Sequence, residues 1–194
     1  MDIDQIGNTN TIAASVIGAT QTLTLRQVGN SNTSTVTVGS NSAAADNSIV
    51  QTLTGSSNTT TVNVGTSAAS GDADIDIVAT GDSNTVTINE NSTATMIGSD
   101  KKVTSITLVG SSNTVTSTHA GAGDHDTTLA HTGASGTFVI TQDGIHDTTL
   151  TVLEYEANIK GHIFVSWLHP FKEHRLIVIG SKGMISFEDS TKNK

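Results

Sequence analysis

A short phrase recurs along this chain: an alternating strand, a turn of the form Gly-x-Ser/Thr-Asn-Thr, and a second alternating strand. The turn reads GNTNT from Gly7, GNSNT from Gly29, GSSNT from Gly55, GDSNT from Gly81 and GSSNT from Gly110, and closes as GASGT from Gly133. Repetition at this spacing marks a solenoid or related array, in which one unit cannot bury its apolar face alone and its neighbours cover it.

Parity around the turn glycines sharpens the reading. Upstream, Leu23 and Leu25, Ile49 and Leu53, Ile75, Ile77 and Ala79, and Ile106 and Leu108 all lie an even number of residues from their glycine. Downstream the asparagine opens the same series: Asn32, Ser34, Val36, Val38; Asn58, Thr60, Val62, Val64; Asn84, Val86, Ile88; Asn113, Val115. Each strand therefore has one apolar face and one face of mostly Thr, Ser and Asp. A hairpin and a β-arc both fit a four-residue turn. The arc is favoured because polar amides stand at its mouth in the inward phase: Gln5 and Asn10 in the first unit, Gln27 and Asn32 in the second. Stacked amides can hydrogen-bond along the stack, as in cross-β ladders. The expected ladder comprises Gln5, Asn10, Gln27, Asn32, Asn58, Asn84 and Asn113, over about six coils stacked at ~4.8 Å.

Composition agrees with an array rather than a round core. Hydrophobic residues make up 35% and aromatics 3% of 194 residues, which is enough only if each coil covers the next. The chain divides near residue 150. Residues 1–150 carry three basic residues (Arg26, Lys101, Lys102) against thirteen acidic ones, and residues 151–194 carry six against five. All the aromatics, Phe138, Tyr155, Phe164, Trp167, Phe171 and Phe187, lie in the last third. The expected organisation is a solenoid over 1–150 and a small antiparallel β cap over 151–194. In the cap, Leu150 and Val152 continue the inward parity, and Phe164, Trp167 and Phe187 cover the last coil.

An acidic array is a poor partner for nucleic acid or an anionic membrane. No apolar run approaches the ~20 residues of a membrane span, and cysteine is absent. The opening MDIDQIG has no basic region followed by an apolar stretch. Either a leader has been removed or the protein leaves the cell by another route, for instance in a virion. Between the arrays of strands, the segments 40–47, 66–73, 90–103 and 120–126 form variable arcs at the end opposite the glycine turns, where recognition usually sits.

The phrases Gln5-Ile6-Gly7-Asn8-Thr9-Asn10 and Gln27-Val28-Gly29-Asn30-Ser31-Asn32 resemble the Gln-x-Gly-x-x-Asn core of curlin repeats, the strand–arc–strand units of curli-type functional amyloids. Later units carry Leu53, Ala79, Leu108 and His131 at the glutamine position. The resemblance implies an extracellular, self-associating fibre subunit. The C-terminal segment Gly161-His162-Ile163-Phe164-Val165-Ser166-Trp167-Leu168-His169-Pro170, with Lys172, Arg175 and Gly180-Ser181-Lys182-Gly183-Met184, resembles part of the C-terminal domain of the Gfo/Idh/MocA oxidoreductases. That resemblance implies shared β-strands only. The Gly-rich βαβ unit that would hold a dinucleotide and the Glu-Lys-Pro segment with the catalytic lysine are not in the sequence, so no nicotinamide cofactor is expected.

Chemistry-bearing clusters are few. His119, His125, His131 and His146 lie near Asp124, Asp126 and Asp147, and His-Asp-Thr-Thr-Leu occurs at 125–129 and 146–150. Imidazole and carboxylate suit zinc or nickel, which makes His125 and His146 weak metal candidates. The plainer expectation is exposed arc residues repeated because the coil repeats. Asp72, Asp74 and Asp76 lack both the β-roll nonapeptide and the EF-hand spacing and read as a solvated face. No nucleophile elbow or phosphate loop occurs. These observations lead to a non-catalytic structural β-solenoid, extracellular or on a virion surface, that self-associates or joins a larger assembly. The alternatives are a phage fibre or capsid-surface component and a non-catalytic relic of a sugar oxidoreductase.

Overall fold

The computed structural model describes residues 1–17, 20–39, 46–64, 73–91, 101–120, 124–143, 146–156, 159–166, 175–180 and 182–188. The protein is an all-β solenoid. Twelve strands alternate between two facing sheets: β1 (Asp2–Ile6), β2 (Thr9–Ile17), β3 (Thr20–Val28), β4 (Ser31–Gly39), β5 (Asp46–Thr54), β6 (Ser57–Val64), β7 (Ala73–Thr80), β8 (Ser83–Asn91), β9 (Lys101–Val109), β10 (Ser112–Ala120), β11 (Asp124–Thr132) and β12 (Ser135–Asp143). Odd strands stack in one sheet and even strands in the other, every neighbour parallel. Each glycine turn thus carries the chain from one sheet to the other. It is an arc and not a hairpin, because β1 and β2 never pair.

Register is unslipped from coil to coil. Asn10 pairs with Asn32, Asn32 with Asn58, Asn58 with Asn84, and Asn84 with Asn113. A one-residue slip would turn every inward side chain outward, and the inward phase is buried from Leu23 of β3 through β11 and half-buried at the two ends of the stack, at Ile3, Val16, Phe138 and Ile140. Leu23, Leu25, Val36, Ile49, Leu53, Val62, Ile77, Val86, Ile88, Ile106, Leu108, Val115 and Leu129 form the core. The long strands of this interior are filled by β-branched and leucine side chains that fit a pleated surface. Outward threonines and aspartates remain exposed or half-buried.

The turns are built to stack as closely as the strands. Gly29 N–H donates to Thr54 O at 2.9 Å and Ser57 N–H to Asn30 O at 3.0 Å, and the same pattern recurs at the other turns. The turn glycines are required by this approach. A Cβ at Gly29, Gly55, Gly81, Gly110 or Gly133 would lie 1.5–1.7 Å from the carbonyl oxygen of the glycine one coil earlier. Gly7, at the head of the stack, meets only the side chain of Asn10, at 3.2 Å.

Beyond β12 the chain returns to the odd-numbered sheet and stays there. β13 (His146–Tyr155) pairs parallel with β11, and β14 (Ile159–Ser166), β15 (Arg175–Gly180) and β16 (Gly183–Glu188) follow antiparallel. Two expectations about this region are corrected. Thr127 pairs with Thr149 and Leu129 with Thr151, so the inward phase of β13 is odd: Thr151 is buried and Val152 is exposed. Phe164 does not cover the last coil either, being 55% exposed on the opposite face. Cover on the last coil comes from Phe138 of β12 and the inward side of β13. The side chains of Trp167 and Phe187 lie outside the description.

Two tests follow from this packing. Val62→Asp, at a position with no exposure, places an unpaired carboxylate in the shared interior and should cost several kcal/mol or force the group neutral. Thr59→Asp on the exposed face should stay within about 0.5 kcal/mol, and thermal melting of the two variants distinguishes them. Gly81→Ala must drive two backbones apart and should lose about 3 kcal/mol or more. Gly183→Ala, with nothing within 4 Å of the added carbon, should be near neutral by the same measurement.

Candidate functional site

Among the described residues the interior holds two extended polar systems, beside a separate buried pair in which Thr60 donates to Gln51. The first is the asparagine column at the mouth of the arcs. Asn10 Nδ2 donates to Asn32 Oδ1 at 2.9 Å, Asn32 to Asn58 at 2.8 Å, Asn58 to Asn84 at 2.7 Å and Asn84 to Asn113 at 2.7 Å. The same Nδ2 groups reach the carbonyl that ends the facing strand one coil on, Val28 for Asn10 and Thr54 for Asn32. Every buried amide in the column thereby satisfies its own turn and its neighbour's, which removes the penalty of burying it. Beside it, Gln27 Nε2 donates to Gln5 Oε1 at 3.3 Å. The glutamine column stops there, since Leu53, Ala79 and Leu108 take its place as buried apolar residues.

The asparagine column ends by design of the sixth coil. Gly136 stands opposite Asn113, and Asn113 Nδ2 donates instead to His131 Nδ1 at 2.8 Å. His131 is then the neutral tautomer with its proton on Nε2. Its ring is buried between Phe138 and Tyr155, with centroids 5.1 and 5.2 Å away. The Phe138 ring fills the space that a side chain at 136 would need, since a Cβ there would lie 2.2 Å from it.

The second system occupies the far end of the interior, in the last three coils. His119 Nδ1 lies 2.8 Å from Glu90 Oε2, and Ser117 Oγ lies 2.7 Å from His119 Nε2. Thr127 Oγ1 is 3.3 Å from the same nitrogen. The tautomer that donates from Nδ1 to the carboxylate leaves Nε2 to accept from both hydroxyls. This hydroxyl–imidazole–carboxylate chain has the hydrogen-bond order of a nucleophile, base and orienting acid. Ser117, His119 and Glu90 are at most 1% exposed, so the hydroxyl is enclosed in the packed interior. The chain acts as a clamp between β8 and β10.

His125 extends this polar seam. Its Nδ1 is 2.9 Å from Asp147 Oδ1, and its ring stands 5.7 Å from that of His119. Gln142 Nε2 donates to His125 O at 3.0 Å and to Thr127 Oγ1 at 3.1 Å, and Thr149 donates to Gln142. The expectation of an exposed His125 is corrected, because it is 1% exposed and faces the interior. Register sets Asp147 beside His125 and places His146 opposite Asp124. Among the described residues no three His, Asp or Glu side chains converge as a metal site. The inward role of His119 and His125 was missed in the sequence. His119 lies nine residues after Gly110, in phase with Asn113, Val115 and Ser117, and His125 lies eight before Gly133, in phase with Leu129; this phase was the available signal for their burial, though not for their partners.

No protein family, no curated protein and no solved structure matches this chain.

Burial lowers the His131 pKa below its ordinary 6.5. The native state therefore favours the neutral ring, and the unfolded chain takes up the proton first as pH falls through about 6.5. The stability from His131 is complete above that pH and is lost progressively below it, down to the depressed folded value. His131→Gln restores the residue type of Gln5 and Gln27 at this column and removes the titration. Melting temperatures followed from about pH 8 to 5 should fall less steeply in this variant than in the parent.

Proposed function

We propose that the chain is a non-catalytic structural β-solenoid, a rigid acidic rod that builds or decorates an extracellular fibre. The observation that carries this reading is the unbroken asparagine column with its glycine turns, in register over five coils. Such a column has a direction. Each amide Nδ2 donates a hydrogen bond to the Oδ1 of the next coil, so the first coil is the acceptor end. There β1 and β2 are the terminal strands of their sheets, and strand edges of this kind template further pairing. Interior polar groups are spent on holding coils together. The hydroxyl, imidazole and carboxylate that could have made a catalytic relay are enclosed by packed side chains.

The resemblance of the first two turns to curlin repeats supports the same role. Sheet coverage at the tail by antiparallel strands favours growth or attachment at the head. Electron micrographs of the purified protein, with fibre diffraction of any filaments, test the reading. Rods or filaments with a reflection near ~4.8 Å along their length are the expected result. Compact particles at every concentration, together with turnover of a substrate that requires His119, would overturn it.

A further inference from the structure

The two sheets end at different heights. The odd-numbered sheet has ten strands and the even-numbered sheet six, so β13 to β16 overhang, and among the described residues no strand stands opposite them. The inner side of the overhang, with Phe138 and Ile140 of β12, lines an open cleft of about 530 Å³ that includes Leu153, Ile163 and Val165. Ile163 is 45% and Val165 60% exposed. Pairing through β15 puts Ile185, 72% exposed, on the same face. Two strand edges end here as well, that of β12 in the short sheet and that of β16 in the long one.

Another coil of the repeat does not fit this end. Gly136 and His131 have closed the asparagine column, and β13 already fills the next place on β11. The vacant shape needs strands on the short sheet, an apolar inner face, and nothing on the long sheet. An overturned copy of the same end supplies all three. A two-fold axis running along the strands, midway between the sheets, brings the partner's long sheet into line with the short one. The partner's β16 then falls beside β12, and its β15, β14 and β13 fill the following places. By symmetry the partner's β12 falls beside β16, which leaves neither edge open.

We infer that the overhanging strands β13 to β16 are a self-complementary docking surface, through which two copies of this chain join tail to tail in an isologous dimer. Four strands at ~4.8 Å, each roughly 20–30 Å long, present on the order of 450 Å² of facing area per copy. The pair, with two added strand pairings, approaches the ~1,000 Å² total of a specific interface. Charge favours this end too. The array carries thirteen acids against three bases, while residues 151–194 carry five against six, so tail-to-tail contact keeps the two acidic arrays apart. The inference is independent of the fibre reading, which concerns the opposite end.

Sedimentation equilibrium of the full chain should give twice the 19.9 kDa of one chain. Val165→Asp, at an exposed inner position, should weaken the dimer by roughly 100-fold. Phe164→Asp on the outer face should leave it intact, and circular dichroism should find both variants folded. The chain has no cysteine, which permits a second measurement that needs no destabilising change. Val139→Cys on β12 combined with Ser186→Cys on β16 should give a covalent dimer on oxidation, and either change alone should not. A monomer throughout, equal weakening by Phe164→Asp and Val165→Asp, or no cross-linking in the double variant would each overturn the inference.

Discussion

Everything in this molecule depends on the closest approach its backbone makes, the stacking of one glycine turn on the next. The carbonyl of each turn glycine occupies the place where the next glycine's Cβ would be. That contact fixes the height of the coil and brings the turn amides into hydrogen-bonding range. It also holds the asparagine side chains at 2.7–2.9 Å from one another. The apolar core adds the larger share of the driving force, but it is non-directional. Leucines and valines in an alternating strand would tolerate a slip of two residues along their neighbours, and the turn does not.

The polar interior then does two different jobs. At the turn end it sets register, since a displaced coil would leave buried amides without partners at about 1–3 kcal/mol each. At the other end the Glu90, Ser117, His119, Thr127, His125, Asp147 and Gln142 side chains join five strands by side-chain bonds. The core there has given up apolar packing for a hydrogen-bonded network, an arrangement that rewards one geometry and penalises others. It lies where the regular array gives way to the overhang, at the place where uniform coils would otherwise continue.

Much of this was legible in the sequence. Phase around the turn glycines placed Val36, Val62, Ile77 and Leu108 inside, and the asparagine at a fixed offset identified its column, because a two-residue period tied to an invariant turn leaves one solution. The histidines were harder to place. His119 and His125 are polar residues at apolar positions, and their burial depends on partners, Glu90 and Asp147, that are 29 and 22 residues away. Periodicity carries no information about such pairings. β13 was misphased because Leu150, Val152, Leu153 and Tyr155 offer apolar residues in both parities. The choice is made by its pairing with β11 and not by its own pattern. The expectation drawn from the tail's resemblance to an oxidoreductase sheet likewise gave no hint that β14 to β16 would extend a solenoid sheet.

The glycine column has a consequence for how such a chain can change. Because each of the first five coils is keyed to its neighbour by the same glycine and asparagine, a segment running from one turn to the next can be gained or lost and the new junction fits the same stack. A loss of half that length would send every later strand to the opposite sheet. Whole-coil changes alter only length, so rods of different reach are neighbours in sequence space. Their terminus does not drift with them. The glycine at 136 and the histidine at 131 travel with the final coil as a stop signal, and the overhang begins after it at whatever height the rod has reached.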